Sequence, residues 1–232
     1  MSRIEINLPK VYDSIIEFAS RNQMCKIKRD CFYLNKVRLS FVSFEPNSRA
    51  LIDNMDIYLS FEEFFALYQD IISGRLPRIG YMKKQSNSKD DKALYFLQGG
   101  GAVENPQTHQ KELKARYFLI DIGTKSDFVF RCIQRKGYKK GNLIVPTGDY
   151  EKSFLVPLSL KDLKSFAHMI KMEISNYNMY CYINGVYNTP AYKQMQNDNN
   201  TIACNNNYNS EPNDYNNKAP QKTFDYVGKS FY

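Results

Sequence analysis

Two stretches of the chain carry the same pattern of apolar and polar positions. Ile57-Tyr58-Leu59-Ser60-Phe61-Glu62-Glu63-Phe64 aligns with Val156-Pro157-Leu158-Ser159-Leu160-Lys161-Asp162-Leu163 at an offset of 99 residues. Each ends a strand-like run on Leu-Ser. Each then opens a helix with a serine followed three residues later by an acid, the reciprocal arrangement that satisfies two orphan N–H groups at a helix start. Helical periodicity follows in both. Phe61, Phe64, Leu67, Tyr68 and Ile71 form one apolar stripe, and Leu160, Leu163, Phe166, Ala167 and Ile170 form the other. Gly74 ends the first helix, and Pro77 lies just beyond it.

Upstream of each helix the period changes from 3.6 to two, the signature of strands. In the second copy, residues 116–122 put Phe118, Ile120 and Ile122 on one face and Tyr117, Leu119 and Asp121 on the other. Residues 127–135 put Phe128, Phe130 and Cys132 inward and Val129, Arg131, Ile133 and Arg135 outward. Residues 137–141 read as a turn, 143–145 as a short strand, 146–149 as a second turn and 154–158 as a last strand. The first copy reads as strands over 24–33, 36–44 and 49–58 before a helix over 61–73, so three or four strands. A further helix is expected over residues 10–21, where Tyr12, Ile15, Ile16 and Ala19 are apolar. Between the copies, one strand over 93–97 is followed by Gly99-Gly100-Gly101, read as a flexible turn, and can form a hairpin with residues 79–83.

The pattern therefore predicts an α+β fold: two tandem antiparallel-sheet-plus-helix modules, ββββα-like, at about residues 24–74 and 115–176. They are joined by a linker, 75–114, within a body spanning 1–184. Residues 185–232 lose all periodicity. They hold runs such as Asn197-Asp198-Asn199-Asn200 and Asn205-Asn206-Asn207 and end on Phe231-Tyr232. That composition predicts a disordered, low-complexity C-terminal tail able to recruit a protein partner.

Composition refines this picture. With 43% hydrophobic and 24% charged residues in 232, the chain can bury a sizeable core, and full-length disorder is excluded. No apolar run approaches the roughly 20 residues of a membrane helix. Met1-Ser2-Arg3-Ile4-Glu5 lacks a signal-peptide core, so the expected place is the cytoplasm, with no membrane partner. The five cysteines have no metal spacing and read as free thiols of a reducing compartment. The net charge of +8 is uneven: residues 75–114 carry +4 and 115–184 carry +5, while 24–74 carry −1. An anionic partner for the second copy follows. Lysine outnumbers arginine 22 to 10 beside abundant Asn, Tyr and Ile, the mark of AT-rich coding, which raises the lysine count by itself.

Given twice in tandem, about four antiparallel strands followed by one helix resembles the Whirly and positive-cofactor-four superfamily of single-stranded DNA-binding proteins. The likeness covers residues 24–176. It is carried best by Lys114-Ala115-Arg116-Tyr117-Phe118, the long basic strand after it, the Pro-Thr-Gly turn and the Leu-Ser helix start. The first copy departs from it in being acidic. Phage-encoded and mobile-element members of this group are small, cytoplasmic and tailed. The resemblance thus implies a protein that coats or protects single-stranded DNA during replication or transfer.

The residues lead to the same chemistry independently. A sequence-independent single-strand binder needs cations for phosphates and aromatic faces for bases. The second copy offers Arg116, Tyr117, Arg131 and Arg135 on its strands and Lys136, Tyr138, Lys139 and Lys140 at its turn; Tyr81, Lys83 and Lys84 repeat the interleaving in the linker. The same groups serve RNA equally well. A protein-interaction component with no nucleic-acid role is the remaining alternative. Edge strands in such modules need covering, which points to a homo-oligomer. Catalytic, cofactor and metal motifs are not found. His109 and His168 stand alone, Gly99-Gly100-Gly101 lacks the Lys-Ser/Thr of a phosphate loop, and Asp121, Asp127 and Asp149 sit where turn chemistry explains them. The expectation is a binding protein, not an enzyme, with no cofactor and no metal.

Overall fold

The repeat extends through the whole described structure. The computed structural model describes residues 14–86, 93–104, 110–141 and 143–186, all within one unit, Met1–Tyr187. The order is β1 (Ser14–Ala19), β2 (Gln23–Lys28), β3 (Lys36–Phe44), β4 (Leu51–Ser60), α1 (Phe61–Ile72), α2 (Arg75–Gln85), β5 (Ala93–Glu104), β6 (Lys111–Ile122), β7 (Phe128–Lys140), β8 (Leu143–Leu158) and α3 (Leu160–Ile183). Strands β1-β2-β3-β4 form one antiparallel sheet and β5-β6-β7-β8 the other, so the α+β fold is ββββα given twice, with α2 inserted between the copies. From Tyr187 onward the expected tail, with its Phe231-Tyr232 end, lies outside the described residues, as does His109.

Several local expectations are corrected. The helix expected over 10–21 is strand β1 from Ser14 on; residues 10–13 lie outside the described residues. Ile16 and Phe18 pair with Ile27 and Cys25, and cross-strand packing outweighs the helical spacing of those apolar positions. The strand expected over 24–33 ends at Lys28, and Phe32–Leu34 is a single 3₁₀ turn. Residues 79–83 belong to α2, not to a hairpin, with Pro77 in the first turn where its missing N–H costs nothing.

Gly99-Gly100-Gly101 is not a turn but the middle of β5. Close approach explains the glycines better than flexibility does. A Cβ on Gly100 would stand 2.5 Å from the Lys114 carbonyl oxygen, and one on Gly99 would meet Ile57 of the opposite sheet at 3.6 Å.

The turns expected at 137–141 and 146–149 lie inside one long hairpin of β7 and β8, which reverses at Gly141. The Pro-Thr-Gly signal marks a bulge rather than a reversal: Gly148 takes φ +67°, and the register skips Gly148 and Asp149 between Thr147 and Tyr150. A second skip falls at Glu151. The same skip occurs in the first copy at Ile52, the position equivalent at an offset of 99. Bulges bend and over-twist a strand pair, so the outer part of the β7–β8 hairpin turns back toward β5. There Gln98 Nε2 donates to the Ile144 carbonyl at 3.0 Å.

The two helix starts behave as their sequence predicts. Ser60 Oγ accepts from Glu63 N while Glu63 Oε2 accepts from Ser60 N, and Ser159 and Asp162 repeat the exchange. Each cap contributes on the order of 1 kcal/mol.

The core lies between the inner faces of the sheets and is closed by α1 and α3. Phe118, Phe128, Phe130, Cys132, Phe154 and Val156 face Cys25, Ile27, Leu39, Phe41 and Ile57, all buried. Phe130 is the hub, with ring centroids 5.2 Å from Phe118, 5.9 Å from Phe18 and 5.0 Å from Phe166 of α3. Phe64 of α1 meets the same Phe166 at 6.2 Å. Burial pushes the Cys25 and Cys132 thiols well above their ordinary range, which makes them unreactive packing groups.

Candidate nucleic-acid interface

Matching each strand to its counterpart through the cross-strand partners compares the two outer faces position by position. On the first sheet, Glu17, Lys26, Ser40 and Asp56 run across β1 to β4 in one row. The equivalent row on the second sheet is Phe96, Leu119, Arg131 and Leu155. The row on the first sheet is hydrophilic, and its charges are engaged in ion pairs. Lys26 pairs with Glu17 at 3.3 Å, and Arg38 pairs with Asp30 at 2.6 Å and with Asp56 at 3.7 Å. The second face has exchanged those groups for aromatic, aliphatic and cationic ones.

Its main feature is a diagonal of one residue from each strand: Phe96 on β5, Tyr117 on β6, Arg135 on β7 and Tyr150 on β8. Phe96 and Tyr117 lie with centroids 5.4 Å apart and planes tilted by 32°. The Arg135 guanidinium stands 4.1 Å from the centre of the Tyr150 ring. Burial pushes the Tyr117 hydroxyl above its ordinary value; Arg135 opposes the shift and Tyr150 adds to it, so the three groups share one field. Phe96 and Tyr150 are 55% and 57% exposed. An aromatic pair, a cation and a further ring on an open four-stranded sheet can stack planar bases and hold the phosphates between them.

Next to the diagonal, Lys136, Tyr138, Lys139 and Lys140 are exposed on the bent hairpin. Two nearby carboxylates are already engaged: Glu151 by Lys114 at 2.7 Å, and Asp53 by Lys152. That leaves Arg135, Lys136, Lys139 and Lys140 without an ion-pair partner among the described residues. Lys114 itself is almost buried. Desolvation works against its charge, but the hydrogen bonds it donates to Glu112 and Glu151 outweigh it and hold the ammonium above its usual range.

Not all expected site residues gather here. Arg116 points inward, donating through Nη1 to the Asp56 carbonyl at 3.0 Å and through Nε to Gln134 at 3.0 Å, so it joins the sheets. Arg131 lies on the outer face, but its Nε stands 2.6 Å from the carboxylate of Asp121. Tyr81, Lys83 and Lys84 are on α2, not in a loop. Tyr81 packs edge-on against Phe128 at 6.3 Å, while Lys83 and Lys84 donate to the carbonyls of Ala93 and Ser126. Those contacts place them at the start of β7, and Lys139 and Lys140 are at its other end.

Phe96 and Tyr150 were absent from the sequence-based set. Phe96 was hidden in a strand expected to serve only as a hairpin arm. Tyr150 was hidden because a turn signal cut β8 in two just before it. A strict period of two puts Tyr150 on the inward face with Lys152 and Phe154, and the extra residue Glu151 is what turns it outward beside Arg135.

Elsewhere the chemistry is quiet. Among the described residues no group of three or more His, Cys, Asp or Glu could hold a metal ion. Asp127 accepts from the Leu160 N–H, and His168 is exposed, with its ring 6.0 Å from Tyr68. No described helix is long and apolar enough to cross a membrane. No family model matches the chain, and no curated protein matches it.

Proposed function

We propose that this protein binds single-stranded nucleic acid without sequence preference, taking single-stranded DNA as its ligand and coating it. The Phe96–Tyr117–Arg135–Tyr150 diagonal carries this reading. Every base has a π-face, so stacking on such a platform tolerates any sequence, and lysines beside it that have no ion-pair partner among the described residues match a phosphate backbone. The action is passive: the chain binds, stacks, protects and releases as salt rises. The duplicated fold supports it further. Two copies of one architecture carry unlike outer faces, and the second has the larger group of aromatic and cationic side chains.

The deciding experiment is fluorescence anisotropy with a labelled poly-dT oligonucleotide of about 30 nucleotides, at several salt concentrations, with an equal-length duplex and a matched RNA as competitors. The expected result is salt-dependent binding that duplex competes for poorly. Phe96→Ala, Tyr117→Ala and Tyr150→Ala should each weaken it by about 1–3 kcal/mol. Equal competition by duplex would reduce the reading to generic polycation attraction. No binding at moderate salt would overturn it in favour of a protein-interaction role. Stronger competition by RNA would move the ligand from DNA to RNA.

A further inference from the structure

Strand β5 is the edge of the second sheet and differs from the other three edges. Edge strands expose a row of unpaired backbone groups, and proteins blunt them with short length, charge, proline or a cover. Strand β1 has six residues, contains Glu17 and packs against α3. Strand β4 carries Asp53 and Asp56, and its Asp56 carbonyl is taken by Arg116. Strand β8 carries two prolines, and its Leu155 N–H is taken by Gln23. Strand β5 is touched by α2 and by the bent β7–β8 hairpin, which holds Gln98, but it has none of the first three devices. It has twelve residues, no proline and no charge from Ala93 to Val103. Among the described residues, Lys83 bonds its backbone at Ala93.

The strand is also complementary to itself. Bulky residues fill its first half, Leu94-Tyr95-Phe96-Leu97. Small ones fill its second, Gly99-Gly100-Gly101-Ala102. Gln98 lies between them. An antiparallel pair of identical strands must keep residues of one face together. The register centred on Gln98 meets that condition and uses the strand from Ala93 to Val103. It sets Leu94 against Ala102 of the partner subunit, Tyr95 against Gly101 of the partner subunit, Phe96 against Gly100 of the partner subunit and Leu97 against Gly99 of the partner subunit. Every large side chain meets a small one, the aromatic-over-glycine arrangement that shields an edge glycine included. No charge opposes a like charge.

We infer that two copies of this chain pair through β5, antiparallel and centred on Gln98, making one continuous eight-stranded sheet. The two-fold axis runs through that sheet, so both outer faces point the same way. The row opposite Phe96 then continues through Gly100 of the partner subunit, Ala115 of the partner subunit and Arg135 of the partner subunit. Each copy thereby extends the aromatic and cationic platform of the other.

The test uses the full chain without nucleic acid, so it stands or falls separately from the binding role. Sedimentation velocity should show a dimer at micromolar concentration. Gln98→Lys places two ammonium groups against each other at the axis and should weaken the dimer about tenfold or more, with unchanged circular dichroism. Gln98→Cys should give an interchain disulfide on mild oxidation, because directly opposed residues lie about 4.5–5.5 Å apart at Cα. Ala102→Cys, whose two copies would sit roughly 27 Å apart, should not. A monomeric wild type overturns the inference. So does a dimer that survives Gln98→Lys and fails to cross-link at 98, since the copies would then meet elsewhere.

Discussion

Asp53 and Lys152 hold equivalent places in the two copies, 99 residues apart, and they bind each other. The ion pair therefore straddles the pseudo-two-fold axis of the duplicated fold. Gln23 and Arg116 repeat the relationship at one remove. Matched through their cross-strand partners they are counterparts, and each reaches the main chain of the other copy's edge strand. Gln23 Oε1 accepts from Leu155 N at 2.6 Å, and Arg116 donates to the Asp56 carbonyl at 3.0 Å. Asp56 and Leu155 are again 99 apart.

This pair is partly exposed, so its measured worth should be small. In a double-mutant cycle, Asp53→Ala with Lys152→Ala is expected to show a coupling of about 0.2–1 kcal/mol that shrinks with salt. Arg116→Ala should cost more, about 1–3 kcal/mol in chemical denaturation, because Gln134 and the Asp56 carbonyl both lose a partner in a confined seam.

Phe130→Ala should be the most damaging single truncation of the core. Its ring touches Phe18 of one sheet, Phe118 of the other and Phe166 of α3. A loss of about 3–5 kcal/mol is expected from thermal or urea unfolding. Phe130→Leu, which leaves a smaller void, should cost markedly less.

Alkali should destabilise the fold through Tyr95. Burial first, and Glu63 second, push its hydroxyl from the ordinary value of 10 up to about 12. A neutral form favoured in the folded state means that stability is intact below pH 10 and is lost as pH rises through about 12. Tyr95→Phe should flatten that part of the pH–stability curve and leave the neutral-pH plateau nearly unchanged. A curve identical to wild type would show that other groups control alkaline unfolding.

If phosphates lie along the bent hairpin, Lys139→Ala with Lys140→Ala should lower the salt slope of single-strand binding by about 0.7 per lysine. Lys26→Ala, on the ion-paired outer face of the first sheet, should leave the slope unchanged. Equal slopes in all three proteins would remove the hairpin from the interface.

How much of this was legible in the sequence depends on whether a feature is local. Ser60 with Glu63 and Ser159 with Asp162 announce two helix starts, because a cap is written within four residues. The inward set Phe128, Phe130 and Cys132 was equally readable, because alternation is local as well. Strand β1 was not: Ile15 and Ile16 suit a helix stripe or a strand, and pairing with β2 decides between them. Nor was β8, since Pro146-Thr147-Gly148 codes the same backbone for a bulge as for a reversal. Arg116 shows the limit for the site. Its period marks it as inward-facing, yet only the opposite sheet reveals that its charge is used to join the two copies rather than to meet a ligand.

The joint between the copies also bears on how such a protein can change over time. At both of its mirrored contacts one partner is main chain, the donating N–H of Leu155 and the accepting carbonyl of Asp56. Those atoms are common to every amino acid except for the amide hydrogen that proline lacks. The side chains at the same two positions point outward and have become unlike, one a carboxylate and one an aliphatic group. A duplicated domain held together in this way separates inheritance of its architecture from inheritance of its surface, so one copy could drift toward a new ligand while the seam stayed as it was.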